Sequence, residues 1–303
     1  MEHGIPLPAG ARADDPSRDK ERDDSTHEVL PDVAYKRLIL VNVAFVGAVG
    51  AGDDGWVLID AGLPGTAGAI REAANERFGG GRNTRPAAIL LTHGHFDHVS
   101  ALRELAELWG VPIFAHPFEM PYLTGQAAYP PPDPSVGNGL MSALSPLFPR
   151  TPIDVGQWLH PFPTDNSVPF LPGWRWIHTP GHTPGHVSFW RESDRTLITG
   201  DAFITTVQES AYAVAVQKPE LHGPPMYYTQ DWEAARISVE RLAMLEPEIA
   251  VTGHGRAMRG QDLRTALHTL AENFDRIAVP EQGRYVVRPA QVGTNAAYDT
   301  HAT

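Results

Sequence analysis

"LLTHGHFDHVS", residues 90–100, closes an apolar run with three histidines and an aspartate. In an extended chain, residues i and i+2 point to the same side. His93 and His95 can therefore present two imidazoles to one point. Residues i and i+1 share no face in a strand or a helix. Asp97 and His98 act together only where the chain bends, and the pattern places that bend at the start of a helix near residue 98. The spacing aims a His pair at one position and an Asp–His pair at the next, which is a template for two metal ions.

More ligands stand at the ends of later strand-like runs. "HTPGHTPGHVS" (178–188) offers His182 inside a Gly/Pro turn. "LITGDAF" (197–203) ends a run with Asp201, and "VTGHGR" (251–256) ends another with His254. The set reads as His93, His95 and His182 on one metal, Asp97, His98 and His254 on the second, and Asp201 as the bridge. Imidazole and carboxylate without sulfur suit zinc, with iron or manganese as alternatives. Positions left open make the site catalytic in type. Two divalent cations, two aspartates and a bridging hydroxide leave it net positive, able to stabilise a developing oxyanion. Asp60 in "VLIDAG" (57–62) reads either as an acceptor orienting a ligand imidazole or as a cap for the next helix. His186 reads as a turn residue or as support behind the ligands.

Around these residues the pattern is α/β. "LILVNVAFVG" (38–47) and "GWVLIDAG" (55–62) are strand-like, with "GAGDDG" between them as the turn. Ile70, Ala73, Ala74 and Phe78 predict a helix over 66–78. "AAILLT" (87–92) is a buried strand that delivers His93. A helix over 98–109 carries Leu102, Leu105, Ala106 and Trp109 on one face, and "PIFAH" (112–116) is strand again. Residues 117–172 are rich in proline and glycine, apart from an amphipathic "GLMSALSPLF" (139–148), and read as an insertion on the rim and a candidate lid. Strands resume at 174–179, 186–190 and 195–200. A long loop, a helix at 231–245, a strand at 248–253 and a helix at 261–277 follow. Residues 1–28, charged from residue 11, read as a disordered or extended arm, 29–280 as one domain, and 281–303 as a tail.

Bulk properties exclude several classes. A formal net charge of -12 disfavours nucleic acid and anionic membrane as partners. The absence of cysteine removes disulfides and thiolate ligands together. No run is long and apolar enough to span a bilayer, and no secretory signal is recognised, so a cytoplasmic location is the default expectation. The oligomeric state is open, and a dimer is compatible with the sequence.

"THGHFDH" resembles the T-H-x-H-x-D-H signature of the metallo-β-lactamase-fold hydrolases, and "TPGHTPGH", "TGDA", "TGHG" and "VLIDAG" resemble its other motifs, in order. The resemblance covers about residues 30–275. It implies an αββα sandwich, two mixed sheets face to face with helices outside, and a dinuclear site, usually zinc, at one edge. Its glyoxalase II and lactonase-like branch is the nearest in kind. Asp201 departs from the Cys or Ser typical of β-lactamases there. Ile204 stands where N-acyl-homoserine lactonases carry tyrosine, with Tyr212 as a candidate substitute. "GDAFITT" differs from the glyoxalase II pattern.

The expected activity is hydrolysis of a small ester-like, lactone or thioester substrate by a metal-bridging hydroxide, with Asp97 orienting it and shuttling a proton. Alternatives are a mononuclear-iron oxidoreductase resembling persulfide dioxygenases, a β-lactamase or phosphoesterase on the same fold, and a non-catalytic binding protein. Phe118, Tyr122, Met141, Phe203, Tyr212 and Tyr227 are the candidate substrate-pocket residues.

Overall fold

The computed structural model describes residues 4–14, 25–137, 139–216, 218–293 and 297. Two sheets dominate it. The first holds seven strands in consecutive order: β2 (His27–Leu30), β3 (Val33–Leu38), β4 (Val41–Val46), β5 (Val57–Ile59), β6 (Ala88–Leu90), β7 (Ile113–Ala115) and β8 (Leu159–Pro161). The second holds β9 (Trp174–His178), β10 (Val187–Arg191), β11 (Thr196–Gly200), β13 (Ile249–Thr252) and β14 (Met258–Arg259) in the order β14-β13-β11-β10-β9. A short ribbon pairs β1 (Ile5–Pro6) with β12 (Glu220–Leu221).

Period-two alternation builds four layers. Val57, Ile59, Ala88 and Leu90 face Val187, Phe189, Ile198 and Val251 of the other sheet, in one buried cluster between the sheets. The alternate residues Val43, Phe45, Leu58 and Ile89 face outward onto Ile70, Ala74, Leu102 and Leu105 of the helices Ala67–Gly79 and Leu102–Trp109. Trp190, Leu197 and Ala250 pack in turn on Val239 and Leu242 of Trp232–Ala243 and on Leu263 and Leu267 of Gly260–Glu272. The fold is an αββα sandwich.

Several boundaries differ from the sequence expectation. The run 38–47 is not one strand. Ile39 adopts a left-handed φ of 63° and breaks it into the β3–β4 hairpin. The helix expected from 98 is two helices, Phe96–Val99 and Leu102–Trp109, so Asp97 and His98 lie inside the first turn instead of before it. The helix expected over 261–277 breaks at Asn273. Part of the insertion 117–172 is core, because β8 extends the first sheet in parallel with β7.

The arm and the tail also carry structure. Leu7, Ala11 and Ala13 are buried, and Asp14 pairs with Arg256 at 3.2 Å, just after the His254 turn. Residues 4–14 are therefore a strap held by apolar burial and an ion pair, and β2 begins at His27, within the expected arm. Residues 15–24, where the charge is densest, lie outside the described residues. The tail holds a short helix, Arg284–Val287, whose Tyr285 hydroxyl donates to the Pro131 carbonyl. No helix among the described residues is long and apolar enough to cross a membrane.

Phe189 is fully buried between the sheets, against Phe162. Phe189→Ala is expected to lower unfolding stability by about 3–5 kcal/mol, read as a reduced denaturant midpoint.

Candidate metal centre

Two parallel strand pairs deliver the site residues. β5 and β6 run parallel, and Asp60 and His93 follow their carboxyl ends. β11 and β13 run parallel, and Asp201 and His254 follow theirs. Parallel neighbours end at the same edge, so the side chains just beyond them meet there. The link between the sheets is explicit: Asn42 donates its side-chain amide to the carbonyls of Thr252 (2.9 Å) and Gly255 (2.7 Å).

All seven expected ligands are buried and adjacent. They form three overlapping groups, His93–His95–His182, His93–His98–Asp201 and Asp97–His98–His254, with ligand atoms in each group within 4.8 Å of one another. His95 Nδ1 lies 2.9 Å from His182 Nε2. Asp201 Oδ2 sits between the outer groups, 3.4 Å from His182 Nε2, 3.6 Å from His98 Nε2 and 3.1 Å from His254 Nε2. Asp97 Oδ2 is 3.4 Å from His254 Nε2.

The ring nitrogens facing away from this centre are anchored. Asp60 accepts from the Thr92 N–H and hydroxyl, each at 2.8 Å, and from His98 Nδ1 at 2.9 Å. Thr92 Oγ1 in turn accepts from His93 Nδ1 at 3.0 Å. One carboxylate thus orients two imidazoles, and the helix Ala67–Gly79 begins at Thr66 without it. The orienting alternative for Asp60 is the one the geometry fits. His254 Nδ1 donates to the Leu40 carbonyl at 2.6 Å. His186 Nε2 accepts the Asp201 backbone N–H at 2.9 Å, and its Nδ1 meets the Thr179 hydroxyl at 2.8 Å. Both its ring nitrogens are thus engaged, and it holds the Asp201 backbone.

The donor set fits a pair of divalent cations. His93 Nε2, His98 Nε2 and Asp201 Oδ1 are buried without a hydrogen-bond partner among the described residues, an arrangement that is unfavourable unless something else occupies those lone pairs. Burial, reinforced by neighbouring imidazoles, lowers the His93 pKa well below the usual histidine value, and burial is also the main cause for His95. Burial pushes His182 down to about 3. These three are neutral at physiological pH, the form that ligates. At His98 and His254, burial opposes the charge, but the surrounding carboxylates, Asp201 foremost, outweigh it and raise both. At Asp201 burial acts upward and is outweighed by His254 and His98, which hold it well below the carboxylate range. Asp97 is raised, mainly by burial.

A cavity of about 250 Å³ opens beside His95. Phe96, Val99, Ser100, Tyr122, Ala127, Tyr129, the segment 149–153 and Tyr228 line it. Of the six candidate pocket residues, Tyr122 alone lines it. Phe118 stacks edge-on against His116 outside the cavity. Met141, Phe203 and Tyr227 pack into the cluster under the second sheet's helices. Tyr212 is 77% exposed on the surface helix Ala211–Val216. Tyr228 lines the cavity and Tyr227 does not, although their rings lie 5.0 Å apart in one buried cluster, a difference the sequence does not reveal. Sequence reading also missed Tyr129, Arg150 and Glu119. For Glu119 the signal was its place just after β7, at the same edge as Asp60 and His93.

Buried imidazoles and carboxylates gathered at the carboxyl ends of paired strands in an αββα sandwich define a metal-dependent hydrolase. A family model described as the metallo-beta-lactamase superfamily matches residues 38–254. Probable metallo-hydrolase YflN of Bacillus subtilis is 51% identical over 222 residues, 73% of this chain and 83% of that protein. Probable metallo-hydrolase YybB of the same organism is 32% identical over 170 residues, 56% of this chain and 64% of that one. Among solved structures, a beta-lactamase domain protein from Burkholderia ambifaria shares the fold at a TM-score of 0.58 with 20% identity, covering 86% of this chain and 80% of its own. The BLEG-1 B3 metallo-beta-lactamase does so at 0.52 with 22% identity, covering 74% and 93%. The chain belongs to the metallo-β-lactamase superfamily.

Two outcomes follow from the electrostatics. A cation entering the Asp97–His98–His254 group displaces protons that the carboxylates hold on His98 and His254, so metal affinity rises with pH. Metal content after dialysis should be retained at about pH 8 and fall toward pH 5. Asp60→Ala, which frees His98 Nδ1 and the Thr92 hydroxyl, should weaken metal binding by roughly 10–100-fold in a chelator competition.

Proposed function

We propose that this hydrolase is dinuclear and cleaves a small ester-like, lactone or thioester substrate. The observation that carries the reading is the run of overlapping ligand groups, sharing His93 and His98, beside a cavity of about 250 Å³. That volume is small for a ligand site, which favours a compact acyl substrate over a polymer. The overall negative charge argues in the same direction, against polyanions.

His93, His95 and His182 would hold one cation, Asp97, His98 and His254 the second, with Asp201 shared between them. Zinc suits this sulfur-free donor set, and iron and manganese are compatible with it. When bound, the pair polarises an acyl carbonyl and lowers the pKa of the attacking water. Asp97 accepts the proton of that water and passes it to the leaving oxygen or sulfur as the acyl bond breaks. Burial raises its pKa, which suits a group that must both take and release a proton. Asp60 and His186 keep the ligand side chains in place while charge develops. Phe96, Tyr122, Tyr129 and Tyr228 exclude water and pack on the acyl group. Arg150, exposed at the rim, offers a cation to a polar or anionic end of the substrate.

Elemental analysis of the purified chain should find about two metals per chain. A panel of lactone, thioester, β-lactam and phosphoester substrates should show its highest turnover on the lactone or thioester arm. His95→Ala and Asp201→Ala should each lose metal and turnover together. One iron per chain with oxygen uptake on a thiol-derived substrate, or full turnover after chelation, would overturn the reading.

A further inference from the structure

Glu119 is a buried carboxylate that the reaction does not consume. It is 1% exposed and makes no ion pair among the described residues. It accepts four hydrogen bonds instead. Oε2 takes the Gly94 N–H at 2.9 Å and the Tyr129 hydroxyl. Oε1 takes the Gly185 N–H and the Thr183 hydroxyl, each at 2.8 Å. Gly94 lies between His93 and His95, and Thr183 directly follows His182. One side chain therefore joins the two loops that supply the whole His93–His95–His182 group. Among the described residues it makes no hydrogen bond to the loop of His254 or to Asp97.

The local sequence is shaped around this carboxylate. A Cβ on Gly94 would lie 2.7 Å from the Tyr129 hydroxyl and 3.3 Å from Glu119 Oε2. A Cβ on Gly185 would lie 2.8 Å from Glu119 Oε1. Glycine at both positions lets the two backbones close on one carboxylate. Each oxygen also faces a backbone N–H, which can only donate. A glutamine would have to set its NH₂ against one of the two, so the position demands two acceptors, which an ionised carboxylate supplies.

We infer that Glu119 is a positioning residue that sets the spacing of the three-histidine ligand group by clamping the 93–95 and 182–185 loops together, and that it acts on that cation site in preference to the second. The inference rests on the dinuclear reading for its contrast between sites. Tyr129 extends the clamp into the cavity wall, where its ring lies 4.5 Å from that of His95 and 3.7 Å from that of Tyr122. The same carboxylate thus ties ligand spacing to the shape of the substrate wall.

The test is a Zn²⁺ titration of the metal-free full chain against a chromophoric chelator, with Co²⁺ absorption spectra as a second readout. Wild type, Glu119→Gln and His95→Ala are compared, the last identifying the step that belongs to the three-histidine group. In Glu119→Gln that step should weaken by roughly 10–100-fold, with an altered Co²⁺ spectrum, while the other step stays unchanged. Equal weakening of both steps, or of neither, overturns the inference. Should Glu119→Gln fail to fold by circular dichroism, Tyr129→Phe combined with Thr183→Val removes two of the four donors and keeps the carboxylate. The same step should then weaken less, and unchanged steps overturn the proposal. A wild type that takes up one metal overturns the dinuclear reading instead. Glu119 is then judged on the remaining step, where undiminished affinity in Glu119→Gln overturns its role.

Discussion

Seven side chains rich in lone pairs are packed into a buried seam at one edge of the sandwich, and this crowding governs the rest of the molecule. Water satisfies such groups in an unfolded chain. Here they are buried, and His93 Nε2, His98 Nε2 and Asp201 Oδ1 are left with nothing to bond to among the described residues. Burying polar atoms in that state disfavours folding by a few kcal/mol for each group. A bound cation would occupy those lone pairs and offset that term. The chain accepts a locally unfavourable cluster because the sheets on either side are held together by a continuous apolar layer, from Val57 and Leu90 to Phe189 and Val251.

The supporting structure keeps those lone pairs converged. Asp60 orients His98 directly and His93 through Thr92. The Leu40 carbonyl fixes His254, and Asn42 ties the first sheet to the turn that follows β13. Glu119 does the equivalent work for the loops of His93, His95 and His182. Apart from the Thr92–His93 contact, each support is a hydrogen bond between residues at least 25 positions apart in the chain. A change at any of them shifts the geometry of the centre without removing a ligand.

The electrostatics divide the centre in two. The three-histidine group is held neutral, chiefly by burial. The group around His98 and His254 is dominated by carboxylates, which draw protons onto those imidazoles. The two halves therefore present different donors to a cation, one ready for it and one that must first release protons. The cavity lies on the side of the neutral half, beside His95.

The buried His and Asp cluster was legible in the sequence because its members lie in segments that follow apolar strands, and strand ends carry a local signature in hydrophobicity and turn residues. Period-two alternation in "VLIDAG" and "AAILLT" likewise announced the buried strands and the layered fold. Boundaries were less legible. Ile39 breaks a continuous apolar run through a left-handed backbone, and apolarity does not encode that torsion. The cavity wall was hardest to read, since Tyr228 lines the cavity and its neighbour Tyr227 does not, although both are buried in one cluster. Which side of an irregular loop turns inward depends on what packs against it, and those partners are distant in sequence. The chain by itself determined the chemistry of the centre through residue types at strand ends. Tertiary structure alone decided which carboxylates support it and which aromatics wall it, because those roles arise from contacts that local sequence does not specify.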